Sequence, residues 1–201
     1  MQKKTKIEEN KLFFNRWSGT YDNWLFQFWM KRFHDIALQT INNKQGAILD
    51  VSCGSGELLS ELAWRGFQKL HGVDIADKML STARKKLPGK VKLYEADVLN
   101  LPFASHTFDY VASTEAFHHY PEQEQALLEL KRVLKKGGSL IVADINFFIH
   151  PVHWLFEKFE PGCVKVNSAK EMRQLFNRVG LKIEKQKRTF LFSVTTVGTL
   201  K

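Results

Sequence analysis

Residues Ile48-Leu49-Asp50-Val51-Ser52-Cys53-Gly54-Ser55-Gly56-Glu57-Leu58 constrain the fold of this chain more than any other stretch. A short apolar run ends in a carboxylate, small residues make a tight turn, and a helical pattern begins. That order describes the strand–turn–helix opening of a nucleotide-binding α/β unit, where glycine lets backbone approach a ligand that a side chain would obstruct. A dinucleotide fingerprint needs a third glycine at position 59, where Leu59 stands. Two further acids, Asp74 and Asp97, end the next two apolar runs. Three carboxylates around one pocket repel a pyrophosphate and suit a ligand with hydroxyls, amines and a positive charge.

Beyond this segment, strand and helix signals alternate, which predicts an α/β fold with a mostly parallel sheet and helices on both faces. Strands are expected over 47–51, 70–74, 91–95, 108–113 and 139–145. Helix 55–65 closes at Gly66, Asp77 is placed to cap a helix running to Leu87, and Pro121 opens helix 122–135. Ser168-Ala169-Lys170-Glu171 reads as a capping box starting a helix that ends at Gly180, followed by strand-like runs over 181–188 and 189–197.

At 201 residues the chain suits one domain, with 44% hydrophobic and 25% charged residues. No apolar run reaches the roughly 18–20 residues a bilayer requires, and the basic start has no apolar segment behind it to act as a secretory signal. Two cysteines, one inside the glycine turn, favour reduced thiols and a cytoplasmic location. The formal charge is +9. It concentrates from Lys165 onward, where nine Lys/Arg, Lys165 included, face only Glu171 and Glu184. Such a surface meets RNA, anionic lipid or an acidic substrate, or is simply a solvated face.

The stretch Asp50–Gly56 resembles the first motif of class I S-adenosylmethionine methyltransferases, D-x-G-x-G-x-G, with Ser52 at the first glycine. The resemblance continues through Gly72–Leu80, Glu95–Phe103, Phe108–Val111 and Leu134–Leu140, in the family's order. The nearest subgroup is that of small enzymes similar to ubiquinone/menaquinone-biosynthesis methyltransferases. The resemblance implies a Rossmann-like, seven-stranded, mostly parallel sheet whose last strand is antiparallel. It also implies a single domain over 1–201: an N-terminal helical lid (1–45), a cofactor-binding core (46–145), then a substrate-side segment with a C-terminal hairpin (146–201). The implied cofactor is S-adenosylmethionine, with S-adenosylhomocysteine as product. Asp50 would sit near its amino group, and Ser52, Cys53, Gly54, Gly56 and Thr114 would be further cofactor-binding residues, with the amides of Gly54 and Gly56 free to approach the methionine carboxylate. Asp74 would accept from the ribose hydroxyls and Asp97 from the adenine amine. Ile75 and Val98 would sandwich the ring, with Met79 beneath. Tyr21, within a segment similar to the family's F-x-x-x-A-x-x-Y-D, would close over the methionine end.

For the acceptor, Glu115-Ala116-Phe117-His118-His119-Tyr120 follows the fourth strand, and His119 is the candidate general base. Nine aromatic residues between Phe13 and Phe33, and a second aromatic group at 147–159, predict a pocket for a small, hydrophobic or aromatic acceptor. In the second group Val152, Leu155, Phe156 and Phe159 share one helical face, leaving Trp154 and Phe147 elsewhere. Flanking basic residues suit contact with an anionic membrane surface. RNA (tRNA/rRNA) methylation and non-catalytic cofactor binding are alternatives. Ser113–Ala116 lacks the Asn/Asp-Pro-Pro-Tyr/Phe block of base-amine methylators, which makes a nucleic-acid partner the weaker reading. No metal is expected, because His118, His119, His150 and His153 lack ligand spacing with acidic companions.

Overall fold

The computed structural model describes residues 2–17, 33–147, 150–190 and 192–201. Seven strands form one sheet: β1 (Ala47–Val51), β2 (Lys69–Asp74), β3 (Lys92–Glu95), β4 (Phe108–Thr114), β5 (Leu134–Ile145), β6 (Lys182–Phe190) and β7 (Ser193–Thr199). Their order is β3-β2-β1-β4-β5-β7-β6. The pairs from β3 to β5 are parallel, and β7 runs antiparallel to both β5 and β6. The expected mixed sheet with a reversed last strand is therefore present.

Alternation along the buried strands sends side chains to two cores. On one face Ile48, Leu70, Ala112 and Ile141 pack with α2 (33–40), α3 (Glu57–Trp64) and α4 (Asp77–Lys86). On the other, Leu49, Val111, Leu140 and Val142 pack with α5 (Gln123–Val133) and α7 (Ala169–Arg178). Each such fully buried leucine or isoleucine contributes roughly 1.5–3 kcal/mol. Around β2 the clearance is minimal. A Cβ on Gly72 would come within 2.7 Å of Leu59 and Leu93 and 2.9 Å of Cys53 Sγ. Two further helices, α1 (Gln2–Trp17) and α6 (His150–Phe159), lie in the segments flanking this core.

Four local expectations are corrected. Asp77 is the first residue of α4 and does not cap it. Ala76 holds the cap position without a side-chain bond, and Asn15 of α1 supplies the missing acceptor, taking the Lys78 amide at Oδ1 (3.1 Å) while its Nδ2 donates to Asp77 Oδ1 (2.7 Å). Pro121 lies before the cap of α5, which is Glu122. β5 begins at Leu134, five residues early, because Leu134 pairs with Phe108 before the register shifts to join Tyr110 to Ser139. The face of α6 is also different. His153 is buried, its Nε2 held 2.9 Å from the Phe147 amide, while Leu155 and Phe159 are 49% and 70% exposed. The capping box is as expected: Ser168 Oγ accepts from the Glu171 amide, and the Glu171 carboxylate accepts from the Ser168 amide at 2.8 Å.

Candidate active site

The strand order reverses between β1 and β4, and a parallel sheet opens a crevice at that point outside the carboxyl ends of its strands. There the chain forms a cavity of about 780 Å³, counting its open mouth. Each strand end contributes a short segment: Val51, Ser52 and Gly54 after β1, Val73–Ile75 at β2, Ala96–Val98 after β3, and Thr114–Ala116 after β4. Met79 of α4 forms part of the floor, and Ile7, Asn10 and Phe14 of α1 cross over it. His119, Tyr120 and Pro121 complete the far wall. No Lys or Arg stands among these residues.

The turn after β1 is braced rather than left open. Gly54 donates its amide to Asp74 Oδ2 (2.8 Å), and Ala76 donates to Asp74 Oδ1 (2.8 Å). The Gly56 amide donates to Cys53 O (2.8 Å), closing the turn. Neither glycine amide is therefore free in this structure. Gly56 has φ +84, and a Cβ there would lie 2.6 Å from Leu87 Cδ1, so its lack of a side chain serves helix packing. Ser52, at φ +57, points its hydroxyl at Tyr120 OH (2.9 Å), and the same phenol meets Ser113 Oγ (2.9 Å). This relay joins the ends of β1 and β4 across the crevice. Burial pushes the Tyr120 phenol up and keeps it protonated.

Of the candidate site residues, Ser52, Gly54, Asp74, Ile75, Met79, Asp97, Val98, Thr114 and His119 line this one cavity. Asp50 and Cys53 instead line a smaller hollow behind the turn, beside His34, Ser55 and Glu57, which Ser52 and Thr114 share with the main cavity. Gly56 lines neither. Tyr21 lies outside the described residues. Burial, and then the neighbouring Asp74, push the Asp50 carboxyl well up. Burial also raises Asp74, opposed by the amides of Ala76, Gly54 and Ile75. Burial likewise raises the Cys53 thiol, so it is no nucleophile at neutral pH. Asp97 accepts from the Leu99 amide through Oδ1 at 3.0 Å, a bond that orients its carboxylate.

Sequence reasoning assigned no role to Asn10, Glu115 or Tyr120. Asn10 Nδ2 donates to His119 O (3.0 Å), docking α1 against the wall. Glu115 sits at φ +55, a left-handed conformation that a residue with a side chain adopts only when its surroundings enforce it. Its amide donates to Ala143 O at 2.7 Å, and burial lifts its carboxyl to about 8. Below the cavity, His118 Nδ1 meets Asp144 Oδ1 at 2.6 Å; burial opposes its charging, but Asp144 prevails and raises the imidazole. The adjacent His119, its ring 4.0 Å from that of His118, goes the other way. Burial and then His118 lower it to about 3, so His119 stays neutral at working pH and is a weak proton acceptor. Among the described residues no group of three or more His, Cys, Asp or Glu is placed to hold a metal ion. None of the described helices is long and apolar enough to cross a membrane.

Residues 49–142 match a family described as a methyltransferase domain. An uncharacterized methyltransferase of Alkaliphilus oremlandii is 33% identical over 146 residues, covering 67% of this chain and 66% of the relative's own length. The chain thus spans just under two thirds of that relative. A Haloferax volcanii structure of the Trm112 methyltransferase activator with its methyltransferase partner superposes with a TM-score of 0.81 at 23% identity, covering 92% of this chain and 96% of that one. An S-adenosylmethionine-dependent methyltransferase from Aquifex aeolicus gives 0.76 at 19% identity, covering 93% and 98%. The reversal of strand order at the crevice, the braced glycine turn and these superpositions agree: the chain has the class I methyltransferase fold, and its residues 49–142 match the methyltransferase-domain family.

Proposed function

We propose that this protein transfers a methyl group from S-adenosylmethionine to a small, apolar or aromatic acceptor. The observation that carries this reading is the cavity's lining: Asp74, Asp97 and Glu115 at three successive strand ends, apolar walls between them and, among the described residues that line it, no cationic side chain to hold a phosphate. The residues fit the cofactor. Asp74 keeps carboxylate lone pairs beyond its two amide bonds for ribose hydroxyls. Asp97 has an oxygen left for the adenine amine, and Ile75, Val98 and Met79 offer apolar faces to the ring. Ser52, Gly54 and Thr114 would hold the methionine end, with Asp50 and Cys53 behind the turn and Tyr21 above it. When bound, the cofactor supplies an electrophilic methyl on a cationic sulfur. The chain's own contribution is to orient that methyl and exclude water, which can supply most of the acceleration. Ile7, Phe14 and Ala116 line the acceptor side and favour an apolar substrate.

Titration calorimetry tests this with S-adenosylmethionine, S-adenosylhomocysteine and NAD. Uptake of the first two and not the third is expected, and Asp74→Ala is expected to weaken uptake by about 100-fold or more through the loss of charged hydrogen bonds. Tight NAD binding with neither sulfur compound bound overturns the reading.

The finer placement, beside the ubiquinone/menaquinone-type enzymes, goes with a single domain over the chain. A reducing, cytoplasmic setting agrees with Cys53 and Cys163, both buried and unbridged. Contact with anionic membrane is supported by Trp154, Leu155 and Phe159, which are 60%, 49% and 70% exposed on α6 beside Lys158. Sedimentation with anionic vesicles should be salt-sensitive, and its absence would exclude this contact. A steep salt slope with tRNA instead would favour the RNA alternative.

A further inference from the structure

We propose that Glu115, not His119, takes the proton lost by the methyl acceptor, so that the acceptor is a group that sheds a proton on methylation (N–H, O–H or acidic C–H) rather than a tertiary amine or thioether. The inference rests on the reading just given and narrows its substrate class.

Several observations converge on this one side chain. Glu115 lines the main cavity just after β4, in common with Ile7, Asn10 and Phe14 of α1. Its Oε2 is sealed from solvent and has no hydrogen-bond partner among the described residues. A buried carboxyl oxygen without a partner costs stability unless something fills its valence in a working state. The backbone beneath it is held at φ +55 by the bond to Ala143 O, so a strained conformation is maintained where the carboxyl meets the cavity.

In this reading Asp74 and Asp97 serve the cofactor, and the remaining titratable groups at the site are tied within the protein or unsuitable. Both oxygens of Asp74 accept backbone amides. Tyr120 OH is tied between Ser52 and Ser113. Asp50 stands behind the turn. His119 Nδ1 is also without a partner, but its imidazole is pushed to about 3, too weak a base to hold an acceptor's proton.

The charges around Glu115 suit the role. Burial raises its carboxyl to about 8; His118 beneath it opposes the shift, while Asp144 and Glu160 add to it. In the free protein near neutral pH the group is thus mostly uncharged. A sulfonium cation in the same cavity favours the carboxylate, and the proton leaves before reaction. As the acceptor's lone pair bonds to the methyl carbon, the S–C electron pair returns to sulfur, which becomes a neutral thioether. The acceptor's proton passes to Glu115. The product state, neutral thioether beside protonated carboxyl, is the state burial prefers, and exchanging product for fresh cofactor expels the proton again.

Proton linkage tests this without knowledge of the acceptor. Calorimetry at pH 7.5, in buffers of different ionisation enthalpy, counts protons released on binding S-adenosylmethionine and S-adenosylhomocysteine. Their difference isolates the charge on sulfur. Wild type should release more protons with the sulfonium compound, by about half a proton or more given the two protonation states, and Glu115→Gln should remove that excess. Glutamine mimics the protonated carboxyl, so retained S-adenosylhomocysteine affinity in Glu115→Gln reports an intact fold. Should that variant fail to fold, the Glu115 carboxyl can be titrated by carbon NMR in wild type, where its pKa must fall on sulfonium binding. Equal proton counts for both ligands in wild type, or an excess unchanged in Glu115→Gln, overturn the assignment. Failure of wild type to bind either ligand would instead overturn the cofactor reading itself.

Discussion

The two halves of the crevice are built differently. On the cofactor side, polar groups are mostly matched within one turn or between neighbouring strands: Gly54 and Ala76 on Asp74, Gly56 on Cys53, Leu99 on Asp97. Asp50 Oδ1 is the exception. On the acceptor side, Asn10 Oδ1, Glu115 Oε2, His119 Nδ1 and Asp144 Oδ2 are all buried with no hydrogen-bond partner among the described residues. A matched region is rigid and pre-formed, whereas unmatched buried groups mark where a ligand, a proton or a water completes the structure. The contrast teaches where affinity and where selectivity reside: the first half recognises a constant molecule, the second a variable one.

The largest effect should come from the pair anchoring the acceptor side. His118→Ala leaves Asp144 buried without its counter-charge, and a loss of about 3–5 kcal/mol in denaturant unfolding is expected. The pair also has a pH signature. Because the folded imidazole lies above its ordinary value of about 6.5, its contribution is fully present below that pH and fades as pH rises through the folded pKa. Urea midpoints at pH 6 and pH 8.5 should show wild type falling more than His118→Ala; parallel curves would erase the electrostatic contrast between the halves.

Next, Gly56→Ala forces a Cβ against Leu87 at positive φ on the cofactor side. A stability loss of about 1–3 kcal/mol is expected. If S-adenosylhomocysteine affinity changes by less than the stability does, Gly56 serves packing rather than binding. Smallest is Asn15→Ala, which removes the cap that α1 lends to α4. A loss of about 1 kcal/mol is expected, with amide exchange at Lys78 rising while the Asp144 neighbourhood stays protected. Protection lost at both places would mean the two sides unfold together.

This division also explains what could be read from the chain. The cofactor side was legible because its signals are local: a glycine turn after a strand, an acid at the next strand ends, a capping box at Ser168 and Glu171. The strand count and the reversed last strand followed from the family those signals resemble; the strand order itself is read from the fold. Local reading failed where partners lie far apart in sequence. Asn15 capping α4 joins positions 62–63 apart, and the Asn10 bond to His119 spans 109. Glu115 stood in plain view beside two histidines, yet only the fold shows its orphaned oxygen and its turned backbone. His119 drew attention by residue type, but imidazole pKa is set by burial and by His118, which no spacing reveals. The α6 face was misjudged because its histidine is apolar enough to enter and finds the Phe147 backbone there.

One feature of the sheet bears on how the protein is made. β7, residues 193–199, is wedged between β5 and β6 although both precede it in the chain. During ribosomal synthesis the 182–190 segment emerges with nothing to pair against, and the edge of β5 stays open until the later strand slides into the gap. The last insertion therefore locks the barrier to unfolding, and a nascent chain stalled before residue 193 would expose two strand edges to any neighbour able to add to them.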